Sequence, residues 1–380
     1  MRKTVAIMTY WQYNDNYGQI LQAYALSHYI ESLGYDVKII KYCHLDDNTL
    51  RIDIKTRIIN QLKKPKDLLK ILWKRVKTHN NKNLFVCPCE KEFLKFKNLR
   101  FHWTQEYKTF QELKENSPKA DVYVCGSDMI WAETAYYPNP FLLDFGSPKK
   151  RIAYAPSFGR KTISKFHRDL IRPLLERFNN ISLREKSGEE ICKNMGFPNA
   201  VTVPDPTLLL KKEDYYKLEE PTKVDGKYAF VYLLGGEIEL SPNEIKAELS
   251  KNNLKMIYRS AQGRVDDLPK VYPSPGEWLN YIHNAEIVIT NSFHGVVLSI
   301  IYGIPFIYFP LVGASFSTNE RVFNLLQRLG LEGQIYKSDL NLVQKLANIS
   351  TVYTESVLGK VNTFKLKGEN YLVNSLSLID

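Results

Sequence analysis

AEIVITNSFHGVVLSIIYGIPFIYFP, residues Ala285–Pro310, decides the architecture. Ile287-Val288-Ile289 is a short β-branched apolar run, as in a buried strand. Thr290, Asn291 and Ser292 follow, all residues that cap helix N-termini well. Val296–Tyr302 reads as a helix, Gly303 stops it, and Ile304–Pro310 reads as the next strand. This unit leaves His294 at or near a helix start, where free N–H groups and the helix dipole favour anions. Either Ser292 and His294 bind a phosphate or carboxylate, or His294 moves a proton. The plain alternative is that His294 only satisfies local backbone groups.

The same grammar runs outward. Tyr228–Leu234 reads as a strand leading to Gly235-Gly236, Pro242–Lys251 as a helix capped by Ser241, Leu254–Tyr258 as a strand, and Glu277–Asn284 as a helix. Past Pro310, Ala314–Asn319 reads as a loop and Arg321–Leu329 as a helix stopped by Gly330. At the other end, Thr4–Thr9 is a strand, Trp11–Gln19 (WQYNDNYGQ) a loop, Ile20–Leu33 a helix and Val37–Lys41 a strand. The loop has one glycine, Gly18, and lacks both G-x-G-x-x-G and G-x-x-x-x-G-K-[ST]. Asn14, Asn16 and Gln19 therefore make it a polar rim rather than an anion nest. Further strands are expected at Asp121–Cys125, Lys150–Tyr154, Asn180–Arg184 and Ala200–Val203, with helices between. Lys211–Lys227, charged and holding Pro221 and Gly226, reads as a linker. The expected fold is α/β: two Rossmann-like domains, 1–210 and 228–360, with parallel sheets facing a central cleft. Residues 361–380 form a C-terminal segment expected to pack back on the first domain.

Composition sets the bounds. The 380 residues are 44% hydrophobic and 24% charged, as in globular proteins. There is no 18-residue apolar run, so no membrane-spanning helix is expected. MRKTVAIMTYW is too short in its apolar part for a signal peptide and reads as a first strand. Five cysteines without repeated spacing fit a reducing cytosol, so the expected location is cytoplasmic. Cys87-Pro88-Cys89 has no second pair nearby, and no His/Asp/Glu cluster has ligand spacing, so no metal is expected. Net charge is +11, and Arg51–Lys82 alone carries eleven Lys/Arg against two Asp. Its Ile, Leu and Trp73 residues make two helices broken at Pro65, each with an apolar and a cationic side. The segment is either a solvated helical insertion or a surface that docks on an anionic membrane, at the inner face of the plasma membrane. No recognition motif accompanies it, so nucleic acid is not an expected partner.

Polar candidates collect at strand ends. Gly126-Ser127-Asp128 follows DVYVC, Arg184 ends NISLR, and Asp205 follows Ala200–Val203. Open α/β sheets bind ligands at that edge, and clefts between domains are common sites. Each residue also has a dull role: Asp128 and Asp205 as turn caps, Arg184 as the partner of a loop carboxylate. Arg321, near its helix start, either adds cation to an anion site or makes a weak surface pair.

Together these stretches resemble the polysaccharide pyruvyl transferase family. The resemblance is carried by Asn16-Tyr17-Gly18-Gln19 with Leu21-Gln22-Ala23-Tyr24-Ala25-Leu26, by Val124-Cys125-Gly126-Ser127-Asp128 with Trp131, and by Ser157-Phe158-Gly159. It continues through Leu183-Arg184-Glu185, Asp205-Pro206-Thr207, Asn291-Ser292-Phe293-His294-Gly295 with Gly303-Ile304-Pro305, and Arg321 with Leu325-Leu326 and Leu329-Gly330. These span about residues 4 to 331; Arg51–Lys82 does not map on the pattern. The resemblance implies a fold like that of GT-B glycosyltransferases. It also implies transfer of a pyruvyl group from phosphoenolpyruvate to two sugar hydroxyls as a cyclic ketal, with galactose as the family's suggestion and no further cofactor.

That chemistry asks for particular groups. The donor's carboxylate and phosphate need cations or helix N-termini, and Arg184 and Arg321 are the candidates, assisted by Ser292 and Asn291. Asn16, Gln19, Ser127 and Asp205 are the further candidate substrate contacts. His294 is the expected proton-transfer residue, and Asp128, ahead of Asp205, the base for a sugar hydroxyl. The acceptor is a sugar or a lipid-linked oligosaccharide. Two rivals remain open: a glycosyltransferase using a nucleotide sugar on the same fold, and a non-catalytic membrane-associated scaffold in glycan assembly.

Overall fold

The computed structural model describes residues 2–53, 56, 87–134, 136–260, 264, 266–337 and 353–377. The basic stretch Arg51–Lys82 lies outside them apart from 51–53 and 56, and so do its two expected helices.

Seven strands form the first sheet: β1 Thr4–Met8, β2 Asp36–Tyr42, β3 Trp103–Tyr107, β4 Val122–Cys125, β5 Lys150–Ala153, β6 Asn180–Leu183 and β7 Val201–Thr202. Their order is β3-β2-β1-β4-β5-β6-β7, and every pairing is parallel. Four more, β8 Tyr228–Leu233, β9 Lys255–Ser260, β10 Ile287–Thr290 and β11 Phe306–Tyr308, form a parallel sheet of order β11-β10-β8-β9. The central strands are apolar throughout because helices cover both faces; YAFVYL of β8 is buried at every position.

Each order contains a reversal, and the reversals place the site. In the first sheet the chain builds outward from β1 to β3, then returns to add β4 on the other side of β1. In the second it adds β9 on one side of β8 and β10 on the other. A crevice opens at the carboxyl ends of the strands flanking such a switch. The residues there are Thr9 and Gly126-Ser127-Asp128 in the first sheet, and Leu234 and Asn291-Ser292 in the second.

Helix α1, Tyr17–Ser32, joins the two crevices. Tyr17 to Ser27 are all buried, so the helix has no solvent face along most of its length. It packs on the second half as well as on its own sheet. Tyr17 stacks on Trp278 at 5.0 Å, its hydroxyl donates to the Pro273 carbonyl at 2.8 Å, and Arg259 Nε donates to that hydroxyl at 3.3 Å. One apolar core therefore runs from Val5 and Ile7 through α1 to Phe230, Tyr232 and Val296.

Several expectations change. The loop after β1 was expected to reach Gln19, but α1 begins at Tyr17 with Asn16 as its cap. The loop is no free polar rim either. Asn14 donates to Glu90 and accepts from Lys97, and Gln19 Oε1 accepts from the Tyr13 amide. Strand β3 (WTQEY) was not expected; it is an edge strand with mostly exposed or half-exposed side chains, so it carries no apolar run. Within the linker lies a short helix, Lys212–Tyr216. The last helix is longer than the expected C-terminal segment, running Glu355–Ser377. Its Tyr371 hydroxyl donates to the Ala153 carbonyl, and its Gly368 lies against Tyr154 and Pro204. Cys87 and Cys89 are joined by a disulfide, while Cys43, Cys125 and Cys192 are buried thiols.

Candidate active site

From the second half, β10 delivers His294. Thr290 Oγ1 donates to the Tyr232 carbonyl at 2.7 Å and accepts from the Ser292 amide at 3.0 Å. Asn291 grips Leu234 twice, accepting from its amide at 2.6 Å and donating to its carbonyl at 3.2 Å. Ser292 Oγ then caps the helix Phe293–Tyr302 by accepting from the Gly295 amide. His294 is thus fixed in the first helical turn, buried, and its ring lies over Gly18 of α1. A β-carbon at Gly18 would sit 2.0 Å from Nδ1.

From the first half come a hydroxyl, two carboxylates and a guanidinium. β4 ends in Gly126, whose backbone (φ +134°) passes so close to the Tyr154 carbonyl that a β-carbon would lie 1.9 Å from it. The Gly126–Ser127 peptide is cis, and Asp128 takes a left-handed conformation, φ 69°. The Ser127 amide donates to Gln22 Oε1 at 2.8 Å, and its hydroxyl donates to the Ala155 carbonyl at 2.6 Å. Arg184, directly after β6, is buried. Its Nε reaches Glu185 at 3.0 Å, and its Nη1 reaches Asp205 Oδ2 at 3.0 Å with Asp128 Oδ1 at 3.9 Å. Asp205 is 1% exposed. Its Oδ1 accepts from the Thr207 amide and hydroxyl, and its Oδ2 faces His294 Nε2 at 3.6 Å. One carboxylate oxygen thus meets a guanidinium from one half and an imidazole from the other.

Burial alone would raise the Asp205 carboxyl, but His294, Arg184 and Thr207 outweigh it and hold the group well below the usual carboxylate range. For Arg184, burial works against the charge, and Glu185, Asp205 and Asp128 overcome it. Arg321 is pushed down by burial and by the like charge of Arg184. The Phe293 ring lies near both guanidinium groups, Arg184 at 4.5 Å and Arg321 at 5.9 Å. Among the buried polar atoms without a hydrogen-bond partner, Arg184 Nη2 and His294 Nε2 lie at this site. Such atoms are costly to leave unpaired, and at a binding site a ligand supplies the partner. Arg184, Lys186, Asp205, Phe293, Arg321 and Arg328 line a recess of about 10 Å³, room for roughly one water.

Of the candidates, His294, Asp128, Arg184, Arg321, Ser127 and Asp205 converge on this place. Asn16, Gln19, Asn291 and Ser292 stand beside it with side chains committed to backbone groups, so they shape the site rather than face it. Sequence reasoning missed Glu185, Phe293, Thr207 and Gln22. All four lie inside motifs already singled out. Gln22 signals itself as a polar side chain between Leu21 and Ala23 on a buried helix, and it donates to Thr9 Oγ1 at 2.9 Å.

A family model described as polysaccharide pyruvyl transferase matches residues 16–311. The chain belongs to that family. It is a transferase of polysaccharide modification, built of two parallel sheets with alternating helices. No curated protein matches it. Among solved structures it is similar to a UDP-GlcNAc 2-epimerase from Neisseria meningitidis bound to UDP-GlcNAc. That likeness has TM-score 0.45 and 9% identity, covering 98% of this chain and 99% of that one. It is also similar to a glycosyltransferase from Streptomyces sp. SF2575 complexed with thymidine diphosphate, with TM-score 0.42 and 12% identity over 97% and 96% of the two chains. Among the described residues, no helix is long and apolar enough to cross a membrane, and no group of three His, Cys, Asp or Glu side chains could hold a metal ion.

Proposed function

We propose that this pyruvyl transferase takes its group from phosphoenolpyruvate and closes it as a cyclic ketal on two hydroxyls of a sugar, galactose in the first instance. The sugar belongs to a bacterial surface polysaccharide or its lipid-linked precursor, modified at the cytoplasmic face. The observation that carries this reading is the unpaired Arg184 Nη2, buried beside Arg321 and the equally unpaired His294 Nε2. A small donor with a carboxylate and a phosphate needs two such cations, and a guanidinium fork matches either group.

In this reading His294 gives a proton to the methylene carbon of the enol. The adjacent carbon becomes electrophilic, one sugar oxygen bonds to it, and that hydroxyl proton passes to Asp128. The carbon–oxygen bond to phosphate breaks, the second hydroxyl closes the ring with loss of its proton, and inorganic phosphate leaves. Met129, the residue after Asp128, helps line a hollow of about 280 Å³ with Tyr10, Tyr13, Tyr136 and Phe141 and without Lys, Arg, Asp or Glu. A burial-driven rise of the Tyr10 hydroxyl pKa, increased by Asp128, records that proximity. A neutral aromatic hollow next to a carboxylate suits a sugar ring.

The test is phosphate release from phosphoenolpyruvate with a panel of α- and β-galactosides. Wild-type protein should release inorganic phosphate, and His294→Ala should slow turnover by about 10²–10⁴-fold while staying folded. Near-normal turnover in that variant removes the imidazole from the mechanism. Release of a nucleoside diphosphate from a nucleotide sugar overturns the ketal reading.

A further inference from the structure

The recess does not end at Arg321. Arg321 and Arg328 lie seven residues apart on the helix Glu320–Leu329, and both line the recess. At about 1.5 Å per residue they stand about 10 Å apart, on one face after two turns. Arg328 and Phe364 also line a larger groove of about 740 Å³ between that helix and the C-terminal helix, with Lys360, Lys367, Thr363 and Asn370.

That groove holds three cations and no carboxylate. Among the described residues, Arg328, Lys360 and Lys367 hold no ion pair or hydrogen bond; Arg328 only lies over the Phe364 ring at 4.5 Å. Arg328 and Lys367 both feel Glu189, but it is already taken by Lys186 at 2.5 Å, Lys193 at 2.8 Å and Thr202. Burial pushes Lys367 below its ordinary value, and the nearby Arg328, Lys186 and Lys193 add to this; burial does the same to Arg328. Unpaired cations that repel one another around a common space are stabilised by an anion placed among them. Asn370 and Ser356 add neutral polar groups to the wall, while the Thr363 hydroxyl donates to the Gly359 carbonyl. The space exceeds what one phosphate fills, and Phe364 and Leu366 give it an apolar side.

We propose that this groove is a second anion subsite, taking a phosphate or diphosphate ester carried by the acceptor, with Arg328 about two helical turns from the donor cation Arg321. The inference rests on the transferase reading above. The donor is also a phosphate ester, so the test separates the two sources.

The variant is Lys360→Gln/Lys367→Gln in the full chain; both positions face the groove and neither lines the recess. Rates are measured with phosphoenolpyruvate and two acceptors, a methyl galactoside and a galactosyl diphosphate of a short-chain lipid. The expected result is a KM for the diphosphate acceptor raised about 10- to 100-fold, with kcat and the KM values for donor and methyl galactoside unchanged. Inorganic pyrophosphate should compete with the diphosphate acceptor in the wild type and lose that effect in the variant. A raised KM for phosphoenolpyruvate with both acceptors assigns the groove to the donor and overturns the acceptor assignment. Unchanged KM values throughout overturn the subsite and leave the transferase reading standing. If the wild type turns over neither acceptor, the transferase reading fails first. Calorimetric binding of pyrophosphate, present in wild type and lost in the variant, then still decides the anion subsite.

Discussion

Adding one methyl group at Gly18 should disable the site without unfolding the protein. The new β-carbon would lie 2.0 Å from His294 Nδ1, 2.4 Å from Cγ and 2.8 Å from Cε1. Ordinary contact is about 3.5–4 Å between heavy atoms, so the ring must retreat by ~1.5 Å or the two halves must part by as much. Either movement draws Nε2 away from Asp205, which it now faces at 3.6 Å. Misplacement of a reacting group by about 1 Å costs about 10²-fold in rate, and the predicted loss of turnover in Gly18→Ala is of that order. The backbone does not resist the change: Gly18 has no positive φ and sits in the first turn of α1, where alanine is the better helix former by up to about 1 kcal/mol. Thermal unfolding should therefore stay within a few degrees of wild type. The assay pairs initial rates of phosphate release with a melting curve on the same preparation. Turnover within about threefold of wild type in a folded Gly18→Ala would refute the claim that the imidazole must rest on α1.

Arg184→Ala strips the cation from buried Asp205 and Glu185 and should cost about 3–5 kcal/mol in urea unfolding. Arg184→Lys should recover part of that stability but little turnover, because one ammonium cannot span both carboxylates. Lys97 donates to the Trp11 carbonyl and to Asn14, bracing the loop before α1, and burial pushes it down to about 8. Between that value and the unfolded value of about 10.4 the unfolded chain binds the extra proton, so stability should rise with pH across this window. Lys97→Met should flatten that limb in melts taken from pH 8 upward; an unchanged slope would show that Lys97 is not its source.

What the sequence made legible was whatever repeats locally. Apolar runs such as Ile287-Val288-Ile289 and Tyr228–Leu233 mark strands buried on both faces, and Pro242–Lys251 carries its Ser241 cap beside it. Less legible was anything set by the meeting of the halves. Tyr17, Gly18 and Gln19 look like loop residues because they are aromatic, flexible and polar, yet Tyr17 is held by Trp278, Pro273 and Arg259 from far along the chain. In the site, Arg184, Asp205 and His294 were each readable from their place after a strand. Their convergence on a single carboxylate oxygen was not, because 21 residues separate Arg184 from Asp205 and His294 arrives from the other sheet.

That shared oxygen makes site assembly and closure one event. With the halves apart, Asp205 keeps Arg184 and Thr207 but loses the ring; together, it holds all three. Asp205→Asn isolates this role. The shape and the Thr207 contacts survive, while the oxygen facing Arg184 Nη1 and His294 Nε2 becomes an amide that sets donor against donor. The carboxyl of Asp205 is held below its unfolded value, so its contribution to stability is fully present above about pH 4 and lost as pH falls through the folded value. The gap between wild type and Asp205→Asn in urea unfolding should therefore be several kcal/mol at pH 7, about 3 or more, and should narrow as pH drops below about 4. Turnover should fall with it, and X-ray scattering of the variant should show a larger radius as the halves separate. A variant as stable as wild type at pH 7, with the same radius, would show that the halves close for some other reason and that Asp205 is a local turn residue tied to Thr207.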